Sequence, residues 1–288
     1  MGNWAQLYAD LTAQLQAGQH LGFWDNAFVG FYQSFLAAGR WRLYLSGLLT
    51  TLEATVLALL LGVALGVIVA VVRTAHDQQR AGHKNVILGV FNAICKIYTT
   101  VIRGTPMMVQ SLIFYYAIFN LFKRTGMSVT EINRVWSLFI SGLVTVSLNS
   151  TAYLAEVLRG GILAVDAGQM EAARSLGMTH WQAMRRVVFP QAIKNSLPAI
   201  GNEFIINIKD SSVLCVLGVS DLMFMTRSVA GIYYKGTECY LIAATVYLFL
   251  TYLSSLLLKA ITGRMTAPDN TKRRQGNQTV DLGLPSSN

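Results

Sequence analysis

Long apolar stretches separated by short polar ones run through this chain from residue 43 onward. Leu43–Val72 is the first, and its 30 residues exceed the roughly 20 that a helix needs to cross the hydrocarbon of a bilayer. Val86–Phe122 is the second, and as one helix its 37 residues are too long for a straight crossing. Gly104-Thr105-Pro106 at its centre predicts a break there. Val135–Leu158, Leu197–Val219 and Tyr240–Ile261 follow, so the pattern predicts an all-α, polytopic membrane protein with about five transmembrane helices. Gly62-x-x-x-Gly66 in the first segment permits close approach of a second helix.

The flanking regions differ. Residues 1–40 alternate polar and apolar without a basic region leading into an apolar core, so they do not read as a cleaved signal peptide. Trp24, Phe28, Phe31, Tyr32 and Phe35 fall at helical spacing, which suits an interfacial helix or a packed aromatic stripe. The tail after Pro268 is polar and is expected to be disordered. Three parts follow: an extracytoplasmic segment 1–40, a transmembrane domain 41–265 and a cytoplasmic tail 266–288.

One polar, basic island, Val165–Pro198, stands between two apolar segments, inside a loop spanning 159–196. Asp166 and Gln169 have the spacing of a capping box, and good helix formers follow. Gly177 supplies a left-handed stop. Thr179 and Gln182 repeat the box, and Pro190, lacking an N–H, is expected to end the second helix. A rigid helix–glycine–helix corner beside a membrane can lie in a groove of a soluble partner and transmit its movement. An ordinary inter-helix loop is the competing reading.

Composition narrows the class. With 53% hydrophobic and 13% charged residues the chain is too apolar for a typical soluble domain. Its net charge of +9 is spread between apolar spans and forms no single basic face with aromatics, which argues against nucleic acid as a partner. The side holding 73–85, 159–196 and 259–288 carries thirteen Lys and Arg residues, the other side seven. By the positive-inside rule the richer side is cytoplasmic, the N-terminus is outside and the C-terminus is inside. Cys95, Cys215 and Cys239 have no metal spacing and cannot all pair, so they read as packing residues. A GxxxxGK(S/T) phosphate loop is missing from the sequence, so energy from ATP would have to come through another polypeptide.

A charge at membrane depth costs about 2.5–3.5 kcal/mol on insertion scales, so each one needs a reason. Glu203, Asn207 and Asp210 share one helical face, with Asn202 and Lys209 on the adjoining strip. Two readings stay open, a water-filled path and a Lys209 or Asp210 ion pair that ties helices together. Arg103 sits beside the Gly104-Thr105-Pro106 break, where freed backbone groups need protein, water or solute. Glu156 lies two residues before the inner end of the third segment, and Glu53 lies in the first.

Glu171-Ala172-Ala173, then Gly177, then Val187-x-Phe189-Pro190 resembles the EAA loop of ABC importer permeases. Ala152-Tyr153-Leu154-Ala155-Glu156, Arg159-Gly160-Gly161-Ile162, Gly168-Gln169, Lys209-Asp210-Ser211-Ser212 and Arg103-Gly104-Thr105-Pro106 are similar to the polar amino acid branch of that family. The resemblance runs from about Leu43 to Ile261. It implies a permease subunit of a type I importer in a bacterial inner membrane, without a cofactor or metal of its own. ATP and Mg would be bound by two ABC ATPase subunits docked on the Glu171–Gly177 loops, and an extracytoplasmic amino acid binding protein would deliver solute. A second permease chain, identical or a sister, would complete the path. Arg103, Thr105, Glu156, Asn202, Glu203, Asn207, Lys209 and Asp210 are the candidate path residues, with charges of both signs to suit a zwitterionic α-amino acid. The rival is an ion-gradient-driven secondary transporter or channel, which would be expected to have more helices or an inverted repeat. A membrane scaffold leaves the buried charges unexplained, and an enzyme would need a nucleophile–base pair or metal cluster that the membrane-depth residues do not supply.

Overall fold

The computed structural model describes residues 2–79 and 85–265. The tail, with Lys272, Arg273 and Arg274, and the basic residues Arg80 and Lys84 lie outside the described residues. Among the described residues the chain is helical throughout, with no strand.

The first long apolar segment forms α3 (Trp41–Asp77), whose 37 residues make a rod of about 55 Å. The second breaks as expected into α4 (Val86–Gly104) and α5 (Met107–Arg124), with Thr105 and Pro106 extended between them. Gln110 closes the break. Its side-chain amide donates to the Ile102 carbonyl at 2.7 Å and to Thr105 O and Oγ1 at 2.9 and 2.8 Å, satisfying carbonyls that the proline leaves open. A capped turn of helix, α6 (Val129–Val135), leads to α7 (Leu138–Leu163).

Past α7 the polar island folds as α8 (Ala167–Ser175) and α9 (His180–Ala183), which runs through a π turn, Met184–Val188, into α10 (Phe189–Asp210). A 3-10 turn, Ser211–Val216, then α11 (Leu222–Tyr233) and α12 (Gly236–Met265) complete the domain. The fourth apolar segment is therefore displaced: its helix starts eight residues before Leu197 and ends at Asp210. The polar run Lys209-Asp210-Ser211-Ser212 favours side-chain to backbone bonds over further α-helix, and Ser211 Oγ donates to the Ile208 carbonyl at 2.9 Å.

By length and composition α3, α4, α7 and α12 can each cross a membrane. α10, at 22 residues or about 33 Å, is long enough for a fifth crossing, but Lys194, Glu203, Lys209 and Asp210 set it apart from that apolar group.

α3 and α7 form the central pair. Lipid offers apolar groups as much contact as protein does, so close backbone approach rather than oiliness holds such a pair together. A Cβ on Gly62 would stand 2.8 Å from Ser150 Cβ, and one on Gly66 would stand 3.2 Å from Leu154 Cβ. Ala54, Ala58 and Val146 extend the seam towards Leu214. α10 packs beside it, with Gly161 of α7 so close to Ser196 and the Ala192 carbonyl that no side chain fits. Long apolar side chains point outward instead: Leu60 of α3 and Leu248 of α12 are 61% and 70% exposed.

The N-terminal residues form α1 (Gly2–Gln16) and α2 (Phe23–Phe31), followed by a π turn, Tyr32–Leu36. Most of the aromatic stripe packs inward. Phe28 lies 5.7 Å from Trp4, Tyr32 stacks on Tyr8 at 4.5 Å, and Phe35 meets Tyr44 of α3 at 5.6 Å. Phe23 and Trp24 stay exposed at the tip. The three cysteines are free, with Cys215 and Cys239 buried.

Candidate functional site

Two sets of residues carry the candidate chemistry: the corner made by α8 and α9, and the polar groups among α3, α4, α7 and α10.

Asp166 caps α8 by accepting from the Gly168 amide at 2.7 Å. The expected capping box does not close, because Gln169 points across to α10, where its side-chain oxygen accepts from Gln191 Nε2 at 3.3 Å. Gly177 has φ +85°. Its amide donates to the Arg174 carbonyl at 3.0 Å, and the Met178 amide donates to the Ala173 carbonyl at 3.2 Å. This pair of bonds is a Schellman stop, and it demands a left-handed residue at that position. The second box forms in full: the Gln182 amide donates to Thr179 Oγ1 at 3.2 Å, and the Thr179 amide donates to Gln182 Oε1 at 2.9 Å.

Pro190 does not end the second helix. The Phe189 amide reaches back five residues to Met184, so the π turn absorbs one residue and restarts the ladder. Pro190 then falls in the first turn of α10, where a missing N–H costs nothing. The corner is consequently fused to α10 without a loop.

Ala173 of α8 and Ala183 of α9 are buried, and the two helices lie against each other. Ile162, Val188 and Ala192 seat the corner on the ends of α7 and α10. Glu171 and Ala172 face outward. Leu176 is 82% exposed and Trp181 66%. Both apolar side chains stand open at the surface of the corner.

The polar groups gather differently from the sequence expectation. Glu156 is a hub. Its Oε1 pairs with the Arg73 guanidinium and lies 4.0 Å from Arg103 Nη1, and its Oε2 accepts from Arg159 Nε at 3.3 Å. Arg159 also reaches Asp77 Oδ2 at 3.4 Å, which binds the end of α3 to α7. Arg103 stands 5.1 Å from the centre of the Tyr153 ring. It therefore meets α7, and Arg73, counted in the sequence only among the basic residues of one side, and Asp77, not singled out there, belong to the cluster. Thr105 donates to the Val101 carbonyl at 2.8 Å and serves the helix break.

On α10, Asn207 is 2% exposed and bracketed against Ser150 of α7, with its amide nitrogen 2.6 Å from Ser150 Oγ. Glu203 is 7% exposed one turn earlier on the same face. Asn202 and Lys209 are exposed on the other strip, and Asp210 is half-buried. Among the described residues no ion pair within 4.0 Å joins Lys209 or Asp210 to a partner, which is the contact that one of the two open readings, a tie between helices, would need. Ser150 and Gln110 are polar residues that sequence reasoning passed over; Ser150 stands between Asn149 and Thr151 and Gln110 precedes Ser111, so neither is set apart from its polar neighbours.

No group of three or more His, Cys, Asp or Glu able to hold a metal occurs among the described residues.

The family described as binding-protein-dependent transport system inner membrane component matches residues 62–267. The chain is 31% identical over 213 residues to the nopaline transport system permease protein NocM of Agrobacterium fabrum, covering 73% of this chain and 82% of that one. It is 32% identical over 176 residues to the glutamine transport system permease protein GlnP of Escherichia coli K12, covering 61% and 76%. Among solved structures, an amino acid ABC transporter crystallised with histidines shares 39% identity at a TM-score of 0.65, covering 77% of this chain and 94% of that one.

Proposed function

Because the chain belongs to the family of binding-protein-dependent transport system inner membrane components, we propose that it is the permease subunit of an ATP-driven importer for a polar amino acid. The observation that carries this reading is the corner: two capped helices around Gly177, fused to α10, with Leu176 displayed outward. Such a unit transmits a push from a docked ATPase straight into a helix that carries the buried polar strip. In this reading two ATPase subunits, with ATP and Mg, dock on the Glu171–Gly177 corners of two permease chains. A binding protein supplies solute on the opposite face of the membrane. The corner side is cytoplasmic, in keeping with its basic residues.

An amino acid presents a cation and an anion together, and Glu156 amid Arg73, Arg103 and Arg159 offers both signs within one cluster. With Glu203 and Asn207 on the neighbouring helix, this cluster is the candidate solute path, and the names of the relatives support the substrate class. The docking part is tested by Leu176→Asp, which places a charge where an apolar contact is required. Co-purification with the ATPase should fall well below wild type while the isolated chain keeps its melting temperature. Unchanged assembly would remove the corner as the dock.

A further inference from the structure

A groove of about 590 Å³ opens between the last turns of α3 and the α9 to α10 junction. Its floor is apolar, with Val67, Val71, Ile162, Met184 and Phe189. Its rim is polar and basic, with Gln78, His180, Trp181 and Arg185. Thr74 lines it at 3% exposure, and its hydroxyl has no hydrogen-bond partner. Arg185 is exposed and has no ion-pair partner among the described residues, and no carboxylate lines the groove. Asp166 and Glu171 line an adjoining pocket of about 420 Å³ that shares Gln78, Ile162 and His180 with the groove.

Depth decides what can occupy it. Val67 and Val71 lie five residues and one residue before the end of the apolar run that closes at Val72, about 7.5 and 1.5 Å along the helix, which puts the floor at the edge of the hydrocarbon. Trp181 at the rim is the residue type that settles at the headgroup level. The occupant must therefore have an apolar body at membrane depth and an anionic end at the surface. We propose that this groove binds an acidic phospholipid of the leaflet facing the corner. One acyl chain lies along Val67, Val71 and Phe189, and the phosphate meets Arg185, with the exposed Gln78 available to its ester oxygens. Basic pockets between membrane helices take such headgroups on the same grounds of charge. The lipid would wedge between a spanning helix and the corner and so hold the corner at its working angle. The inference needs the chain to span the membrane and does not depend on the ATPase or the amino acid.

The test uses the purified full chain in detergent, titrated with dioleoylphosphatidylglycerol or dioleoylphosphatidylcholine and read by native mass spectrometry. Phosphatidylglycerol should be retained in preference to phosphatidylcholine. Arg185→Gln should cut its retention about fivefold, the factor equivalent to about 1 kcal/mol per basic residue near a surface. Val71→Trp, which fills the floor, should cut retention of both lipids. If that variant does not fold, Arg185→Gln still decides, because Arg185 is exposed and its loss leaves the packing intact. Equal retention of the two lipids, indifference to both variants, displacement by inorganic phosphate alone, or a lipid-free dimer covering the groove would each overturn the proposal.

Discussion

Gly177 is the position at which the corner can be disturbed with the least damage elsewhere. Its φ of +85° is one that residues with a Cβ rarely adopt, and an L side chain there costs about 1–2 kcal/mol, with Asn penalised least. A Cβ on Gly177 would meet nothing within 4 Å, so in the isolated chain the backbone alone sets the penalty. That penalty is a factor of about 5–30 in the local equilibrium that keeps the Schellman bonds to Arg174 and Ala173 in place. In the isolated chain Ala and Val should therefore both change the melting temperature little, Val more than Ala because a branched Cβ crowds its own backbone at positive φ, since the corner is peripheral to the α3–α7 seam. In the complex they should separate further, since the bulk of Val enters space that only a partner fills. The assay is co-purification with the ATPase and amino acid uptake into proteoliposomes for Gly177→Asn, Gly177→Ala and Gly177→Val, beside the melting curve of each isolated chain. Loss should increase in that order. Wild-type uptake by Gly177→Val would refute the lever, and a matching loss of global stability would reassign the defect to folding.

Glu156→Gln leaves the guanidiniums of Arg73, Arg103 and Arg159 without their shared carboxylate, and losing charge-assisted hydrogen bonds of this kind costs about 1.5–3 kcal/mol. Denaturation should show that loss, a double-mutant cycle with Arg73→Gln should show coupling, and uptake should fall, whereas an uncoupled cycle would dissolve the cluster as a unit. In a background lacking Cys95, Cys215 and Cys239, Thr179→Cys should react with an impermeant thiol reagent only from the cytoplasm and Thr125→Cys only from outside; the reverse pattern would invert the topology.

The sequence disclosed the elements whose signals are local. Gly177 announces a left-handed stop, the Thr179–Gln182 pair announces a cap, and Gly104-Thr105-Pro106 announces a break, because each depends on residues within one or two turns. What it hid depends on neighbours far along the chain. Arg73 and Glu156 are 83 positions apart and Ser150 and Asn207 are 57 apart, and helical periodicity says which face a residue occupies but not which helix that face meets. Pro190 shows a different failure. Its meaning changed because a π turn, which has no clear sequence signature, shifted the register just before it. The capping box at Asp166 failed for a third reason, since Gln169 had a tertiary partner in Gln191 that outcompeted the local one.

On the proposed function, a chain driven through its corner moves an amino acid only when a separate ATPase supplies the push. The measurement is uptake into proteoliposomes holding the chain alone or the chain with its ATPase and binding protein, each with and without ATP and with and without an imposed proton or sodium gradient. Accumulation should require the full set and ATP, and should be indifferent to the gradients. Accumulation by the chain alone, driven by an ion gradient without ATP, would contradict it.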